Sequence, residues 1–446
     1  KRKESDCDCF DTGHSSTSIS AGLGLVKARD IMHQDHTVVS VIGDGSLTGG
    51  MAYEALNNAA RMKSNFIIVL NDNNMSISEN VGGVSKYLNN IRTADKYLDL
   101  KEGIYNSLKE TRIGDPIVES IRRAKSSVKQ LVIPGMFFED MGITYLGPVD
   151  GHNIPAMLKV FKEAKRVKSA VLVHVITHKG KGFIPAERHP SRFHGAEPFD
   201  IETGLPLKQK TKSNYTDVFS TVMCKQGDRN DKIVAITAAM PDGTGLKRFH
   251  NMYPDRFFDV GIAEEHAVTF AAGLAAGGLQ PVVAIYSSFL QRAYDQILHD
   301  VCIQNLPVVF AIDRAGLVGS DGETHQGIFD LSYLSSIPNM HIMAPKNKWE
   351  LSDMLKFAID FQGPIALRYP RGEAFDGLRE HREPIILGMG EWIYHEKDIV
   401  LVAVGSMVKT ALAVREALQS KGYACSIINA RFVKPIDTGF VKNLRI

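Results

Sequence analysis

The chain has 446 residues, 44% of them apolar and 23% charged, a composition that can bury enough surface for two or three domains. A net charge of +2 gives no electrostatic case for nucleic acid or an anionic membrane as partner, and no apolar run approaches membrane-spanning length. Five scattered cysteines (Cys7, Cys9, Cys224, Cys302, Cys425) suit a reduced, cytoplasmic setting, and the C-x-C of Cys7 and Cys9 lacks the second pair that a zinc site needs.

The chain opens on "KRKESDCDCFDTG", which starts at Lys1 and reads as the end of a connection; it stops on "PIDTGFVKNLRI", just after a turn. Both ends are expected to be cut from something longer. In between, "HTVVSVI" (36–42), "NFIIVLND" (65–72) and "SAVLVHVI" (169–176) read as buried parallel strands. The stretches 49–64 and 153–166 have helical spacing. Residues 83–131 are charged, with few apolar stripes, and predict an exposed helical insertion. After a polar stretch near residue 205, strands are expected at 232–237, 256–261, 280–286, 306–313 and 363–370. A Pro/Gly/Arg-containing linker (368–384) leads to "DIVLVAVGS" (398–406), a strand running into a helix. The expected class is α/β, with two doubly wound parallel-sheet domains (1–205 and 206–380) and the start of a third (381–446).

The stretch "VIGDGSLTGG" (41–50) follows the first predicted strand and sets Asp44 between Gly43 and Gly45, ahead of Ser46. A glycine turn after a strand receives phosphate on backbone N–H groups, but a carboxylate there repels phosphate unless a cation stands between them. Asn73, in "NDNNMSIS" (71–78), lies just past the next predicted strand, 29 residues on. In a parallel sheet both oxygens meet at the carboxyl ends of the strands. A hard cation such as Mg²⁺ takes carboxylate, amide and carbonyl oxygens, here Asp44, Asn73 and the Met75 carbonyl. Read on its own, Asp44 is also compatible with a local Asx turn.

GDG followed by an asparagine at this distance resembles the diphosphate-and-metal motif of thiamine diphosphate enzymes. "GHSSTSIS" (13–20), "YLGPVDGH" (145–152), "HKGKG" (178–182), "FDVGIAEEHAVTFAAGLA" (258–275), "YSSFLQRAYDQ" (286–296), "DRAGLVGSDGETHQG" (313–327) and "RYPRG" (368–372) extend the match. Across essentially its whole length the chain resembles the 1-deoxy-D-xylulose 5-phosphate synthase family of the transketolase-like superfamily. The resemblance implies a thiamine diphosphate-binding fold: a diphosphate/Mg²⁺ domain lacking its N-terminal part, a pyrimidine-binding domain, and the start of a transketolase-like C-terminal domain. It also implies a homodimer. The implied reaction decarboxylates pyruvate and transfers the two-carbon unit to D-glyceraldehyde 3-phosphate, feeding isoprenoid and thiamine synthesis. A transketolase-like relative and a cofactor-binding fragment without activity are the alternative readings.

Residue by residue, the resemblance makes Glu264 the carboxyl group that hydrogen-bonds the cofactor's pyrimidine; the sequence alone does not separate it from Glu265. Phe289 would stack on that ring, with Tyr286 and Arg292 near the substrate. Arg314 and Arg371 would hold the acceptor phosphate through the bidentate fork of a guanidinium. Asp321 and His325 would meet substrate oxygens, with His325 as proton carrier. His14, Lys179 and His194 are the expected basic residues of the first domain, with His14 and His194 placed among the catalytic groups. His14 precedes "SSTS", which predicts a side-chain cap at the start of a helix.

Overall fold

The computed structural model describes residues 2–76, 80–93, 136–208, 211–319 and 322–443. They form two units, Lys1–Ala196 and Glu197–Ile446. In the first unit, strands β1 (Val39–Gly43), β2 (Phe66–Asp72), β3 (Thr144–Asp150) and β4 (Ala170–Ile176) form an all-parallel sheet in the order β1-β2-β4-β3. Alternate residues of a strand face opposite ways, and the apolar runs of β2 and β4 fill both sides. Phe66, Ile68, Leu70 and Leu172 pack under the helices Ser18–Ile31 and Gly50–Ala59. Ile67, Val69, Val171 and Val173 pack against Ile154–Ala164.

Three expectations change here. β1 is not buried on both faces: it ends the sheet among the described residues, and Val39 and Val41 are exposed. β3 was not foreseen, because Gly147-Pro148 interrupts its apolar pattern at the point where its register with β4 shifts. The start of the supposed exposed insertion, residues 83–93, belongs to the helix Gly82–Thr93, whose Leu88 and Ile91 are buried in the sheet's core. Residues 94–131 of that insertion lie outside the described residues.

The second unit holds β5 (Ile233–Thr237), β6 (Phe257–Asp259), β7 (Gln280–Tyr286), β8 (Val309–Asp313), β9 (His341–Met343), β10 (Ile365–Arg368), β11 (Glu391–Tyr394), β12 (Ile399–Ala403), β13 (Cys425–Asn429) and β14 (Phe432–Lys434). Seven of them make one sheet, β14-β9-β10-β8-β7-β5-β6, parallel except for β14. The other three make a small sheet, β11-β13-β12. The two compact units meet at 196/197, nine residues before the expected domain boundary at 205/206; Glu197, the first residue of the second unit, is ion-paired with Arg371, 3.5 Å away.

The segment expected as the start of a third domain lies within the second compact unit. It donates β14 to the large sheet, and it shares a buried ionic cluster with it. Lys346 Nζ donates to Glu350 (3.0 Å) and Glu391 (2.6 Å), and Arg431 pairs with the same two carboxylates at 2.8 and 3.1 Å. All four side chains are at most 3% exposed, so the two positive and two negative charges have only each other and neighbouring polar groups as solvent.

Candidate active site

The carboxyl ends of β1 and β2 carry the two foreseen oxygen donors, because parallel pairing sets Gly43 opposite Asn71. Asp44 is 3% exposed. Its Oδ1 accepts from Gly45 N (2.9 Å) and its Oδ2 from Asn73 N (3.2 Å), so the aspartate joins the two strand-end turns directly. Asn73 Oδ1 accepts from Met75 N at 3.0 Å, which closes a tight turn around the third foreseen donor. The turns lie very close together. A Cβ on Gly45 would sit 2.8 Å from Ser76 Cβ and 2.9 Å from Asn80 Oδ1, so no larger residue fits there. Burial, then the neighbouring Asp72 carboxyl, pushes Asp44 up to about 6.

Lys179, on the loop after β4, donates to Ser76 O (2.6 Å) and lies 3.0 Å from His194 Nδ1. Burial lowers the lysine's pKa, opposed by the negative charge of Asp44; burial and then the lysine's charge lower that of His194. The imidazole is therefore suited to accept from the ammonium. Ser16 donates to Ser46 O at 2.7 Å and pins the segment after His14 to the glycine turn. The predicted side-chain cap is absent: Thr17 stands at the N-cap without a capping bond, and its hydroxyl lies 3.3 Å from Thr12 Oγ1 instead.

The second unit collects the other foreseen residues at its own strand ends. Glu264 is buried at the first position of the helix Glu264–Ala276, whereas Glu265 is partly exposed. Burial raises the Glu264 carboxyl despite Arg292, whose Nη1 donates to Oε2 at 3.2 Å. Arg292 was expected near substrate, and the structure sets it beside this carboxylate. Tyr286 at the end of β7 stacks with Phe289 (5.7 Å, 24°), and Phe289 meets His325 edge-on at 5.4 Å. The Arg314 guanidinium lies 3.9 Å over the Tyr286 ring. Arg314 and Arg371 line a cavity of about 480 Å³ together with Asn214, Thr216, Asp217 and Asp242. Asp321 lies outside the described residues.

Two sets of residues were missed by the sequence reading. Asp313 accepts from Arg314 N (2.6 Å) and from Thr216 Oγ1 (2.8 Å), supporting Arg314 in a left-handed conformation (φ 58°). In the first unit Asp72, His174 and Tyr145 form a buried hydrogen-bonded chain beneath Asn73. A histidine inside the otherwise apolar "AVLVHVI" was the one signal for it.

Comparison with known proteins decides the family. Residues 1–177 match the family model "1-deoxy-D-xylulose-5-phosphate synthase". Residues 211–375 match the transketolase pyrimidine-binding domain, and 388–445 the transketolase C-terminal domain. A 1-deoxy-D-xylulose-5-phosphate synthase of Lachnoclostridium phytofermentans is 60% identical over 445 residues, covering 100% of this chain and 71% of the relative. The chain belongs to the 1-deoxy-D-xylulose-5-phosphate synthase family. The synthase of Clostridium acetobutylicum is 56% identical over 98% of this chain and 71% of its own length. A solved split-gene transketolase, described as an inactive beta4 tetramer, is 29% identical over 52% of this chain and 76% of its own, at a TM-score of 0.46 that is too low to bear on the architecture. The expected fold class, the synthase activity and thiamine diphosphate as the cofactor stand with that membership. The synthase substrates are pyruvate and D-glyceraldehyde 3-phosphate, and no helix among the described residues is long and apolar enough to cross a membrane.

Proposed function

We propose that the foreseen residues run this synthase reaction in the following roles. Asp44, Asn73 Oδ1 and the Met75 carbonyl hold Mg²⁺ against the cofactor's diphosphate. The donor set suits that ion. Among the described residues no three His, Cys, Asp or Glu side chains cluster to hold a metal unaided. One carboxylate with amide and carbonyl oxygens instead leaves positions for phosphate, as Mg²⁺ prefers. The observation that carries the reading is the direct bond from Asn73 N to Asp44, which brings both donors to one pair of strand ends. Lys179 and His194 add positive and hydrogen-bonding groups on the same side, with His14 on the segment fastened to Ser46.

Thiamine diphosphate, when bound, supplies the nucleophilic carbon and the electron sink for decarboxylation. Glu264 holds the pyrimidine ring nitrogen, and its burial supports that role because a carboxyl group with a raised pKa shares a proton readily. Phe289 covers the ring. Arg314 and Arg371 fix the acceptor phosphate in the polar cavity, which selects sugar phosphates over free aldehydes. His325 moves a proton at the acceptor oxygen; Thr324 Oγ1, 2.8 Å from its Nδ1, orients the ring. Asp321 and Arg292 contribute to substrate orientation, and Tyr286 braces Arg314. The family resemblance supports a cytoplasmic homodimer. The test is calorimetric titration with thiamine diphosphate, with and without Mg²⁺. Metal-dependent binding that disappears in Asp44→Ala is expected; metal-independent binding in the parent chain would refute the assignment.

A further inference from the structure

Beneath the turn that carries Asn73 and Met75, a chain of buried polar side chains crosses the sheet. Tyr145 on β3 lies with its Oη 2.7 Å from His174 Nδ1 on β4, and His174 Nε2 lies 2.9 Å from Asp72 Oδ2 at the end of β2. Tyr145 is 3% exposed, and His174 and Asp72 are fully buried. With the tyrosine hydroxyl donating to Nδ1, the Nε2–H is left to donate to the carboxylate. The other Asp72 oxygen accepts from Arg92 of the helix Gly82–Thr93 and from Asn74 N (3.3 Å). Arg92 also donates to Asn74 Oδ1 at 2.7 Å, and Asn74 has a left-handed backbone (φ 63°).

Burying three polar groups in this core is costly, and apolar side chains of similar volume would hold the strands together as well. The polar chain does something an apolar one would not. It ends on the residue before Asn73 and on the backbone and side chain of the residue after it. Asp44 then grips the N–H of Asn73 from the other side at 3.2 Å.

We infer that Tyr145, His174, Asp72 and Arg92 are positioning residues for the cation site: they lock the 72–75 turn in the shape that aims Asn73 Oδ1 and the Met75 carbonyl at a shared ion. The inference rests on the Mg²⁺ reading above. A ligand turn held in shape before binding needs no ordering when the ion arrives, and loss of such support typically weakens metal affinity about 10–100-fold.

The experiment is calorimetric titration of thiamine diphosphate across a series of Mg²⁺ concentrations, on the parent chain and on His174→Gln, Asp72→Asn, Tyr145→Phe and Asp44→Ala. The Mg²⁺ concentration for half-maximal binding should rise about tenfold or more in His174→Gln and Asp72→Asn, and less in Tyr145→Phe. Excess Mg²⁺ should restore binding in all three. Lowered melting temperatures with a parental Mg²⁺ requirement would make the chain of residues purely structural and overturn the inference. Tyr145→Phe removes a single hydroxyl, so it and His174→Gln decide the matter should Asp72→Asn not fold. If Asp44→Ala itself leaves the Mg²⁺ dependence intact, the metal assignment falls, and the inference with it. If only Asp44→Ala changes it, the inference alone falls.

Discussion

Gly243 tests the acceptor side of the site with a single methyl group. It lines the cavity shared with Arg314 and Arg371. A Cβ added there would lie 1.8 Å from Tyr286 Oη and 2.9 Å from its Cζ, where ordinary contact begins at 3.4 Å. The hydroxyl must therefore retreat by about 1.6 Å. Tyr286 is 5% exposed, stacked on Phe289, with the Arg314 guanidinium 3.9 Å over its ring, so it cannot swing aside without carrying those groups along. Gly243 does not have a left-handed φ, so alanine is otherwise welcome there; elsewhere such a change stabilises by about 0.4–1 kcal/mol through the unfolded chain. A displacement on the order of 1 Å at a binding group costs up to about 100-fold in rate, or about 2.7 kcal/mol. In Gly243→Ala, kcat/KM for D-glyceraldehyde 3-phosphate at saturating pyruvate should fall by that order, with cofactor affinity weakened less, through Phe289, and the melting temperature lowered by the crowding. A folded variant within about twofold of the parent would refute the bracing role of Tyr286.

Glu264→Gln should keep cofactor binding within a few-fold while product formation falls by about 100-fold or more, since an amide cannot share the proton; near-parental turnover would remove Glu264 from its role. In the buried ionic cluster, Glu391→Gln leaves Lys346 and Arg431 with one carboxylate, and thermal denaturation should show a loss of about 3–5 kcal/mol. Replacing both Lys346 and Glu391 by apolar residues should cost less, and the opposite order would contradict the charge-balance account. Asp313 gives a pH dependence of definite sign. Burial lifts its carboxyl from 3.8 to about 6, against the hydrogen bond from Thr216. A raised carboxyl favours the folded state fully below its unfolded pKa, and that contribution is lost as the pH rises through the folded one. The loss is roughly 3 kcal/mol. Denaturation curves of the parent should therefore lose stability relative to Asp313→Asn between about pH 4 and about pH 6, with a constant difference above about pH 7. Parallel curves throughout would mean that Asp313 is not raised.

What the sequence made legible follows from how locally each feature is written. β2, β4 and β7 are long, largely apolar runs and were readable as buried strands. Asp44 and Asn73 were readable as partners because a strand-helix-strand repeat carries consecutive strand ends to one edge. β9 and β14 are three residues each and form only through pairing with distant strands, so no local pattern announces them. Local pattern does not separate Glu264 from Glu265; the resemblance chose Glu264, and the difference in burial between the two is a tertiary property. The Asp72–His174 bond joins residues 102 apart, and within an apolar strand a lone histidine reads as core. Residues 83–93 read as exposed only when taken together with the charged residues that follow them; on their own, Val84, Tyr87, Leu88 and Ile91 recur at helical spacing, and all four pack in the core.

The most direct test of the whole account is product analysis. The protein is incubated with pyruvate, D-glyceraldehyde 3-phosphate, thiamine diphosphate and Mg²⁺, and CO₂ and sugar phosphate are measured together. The account predicts equal amounts of CO₂ and 1-deoxy-D-xylulose 5-phosphate, dependent on both substrates and the cofactor, and lost in Glu264→Gln and Asp44→Ala. Transfer from a ketose phosphate donor without CO₂ release, or parental yields in both variants, would contradict it.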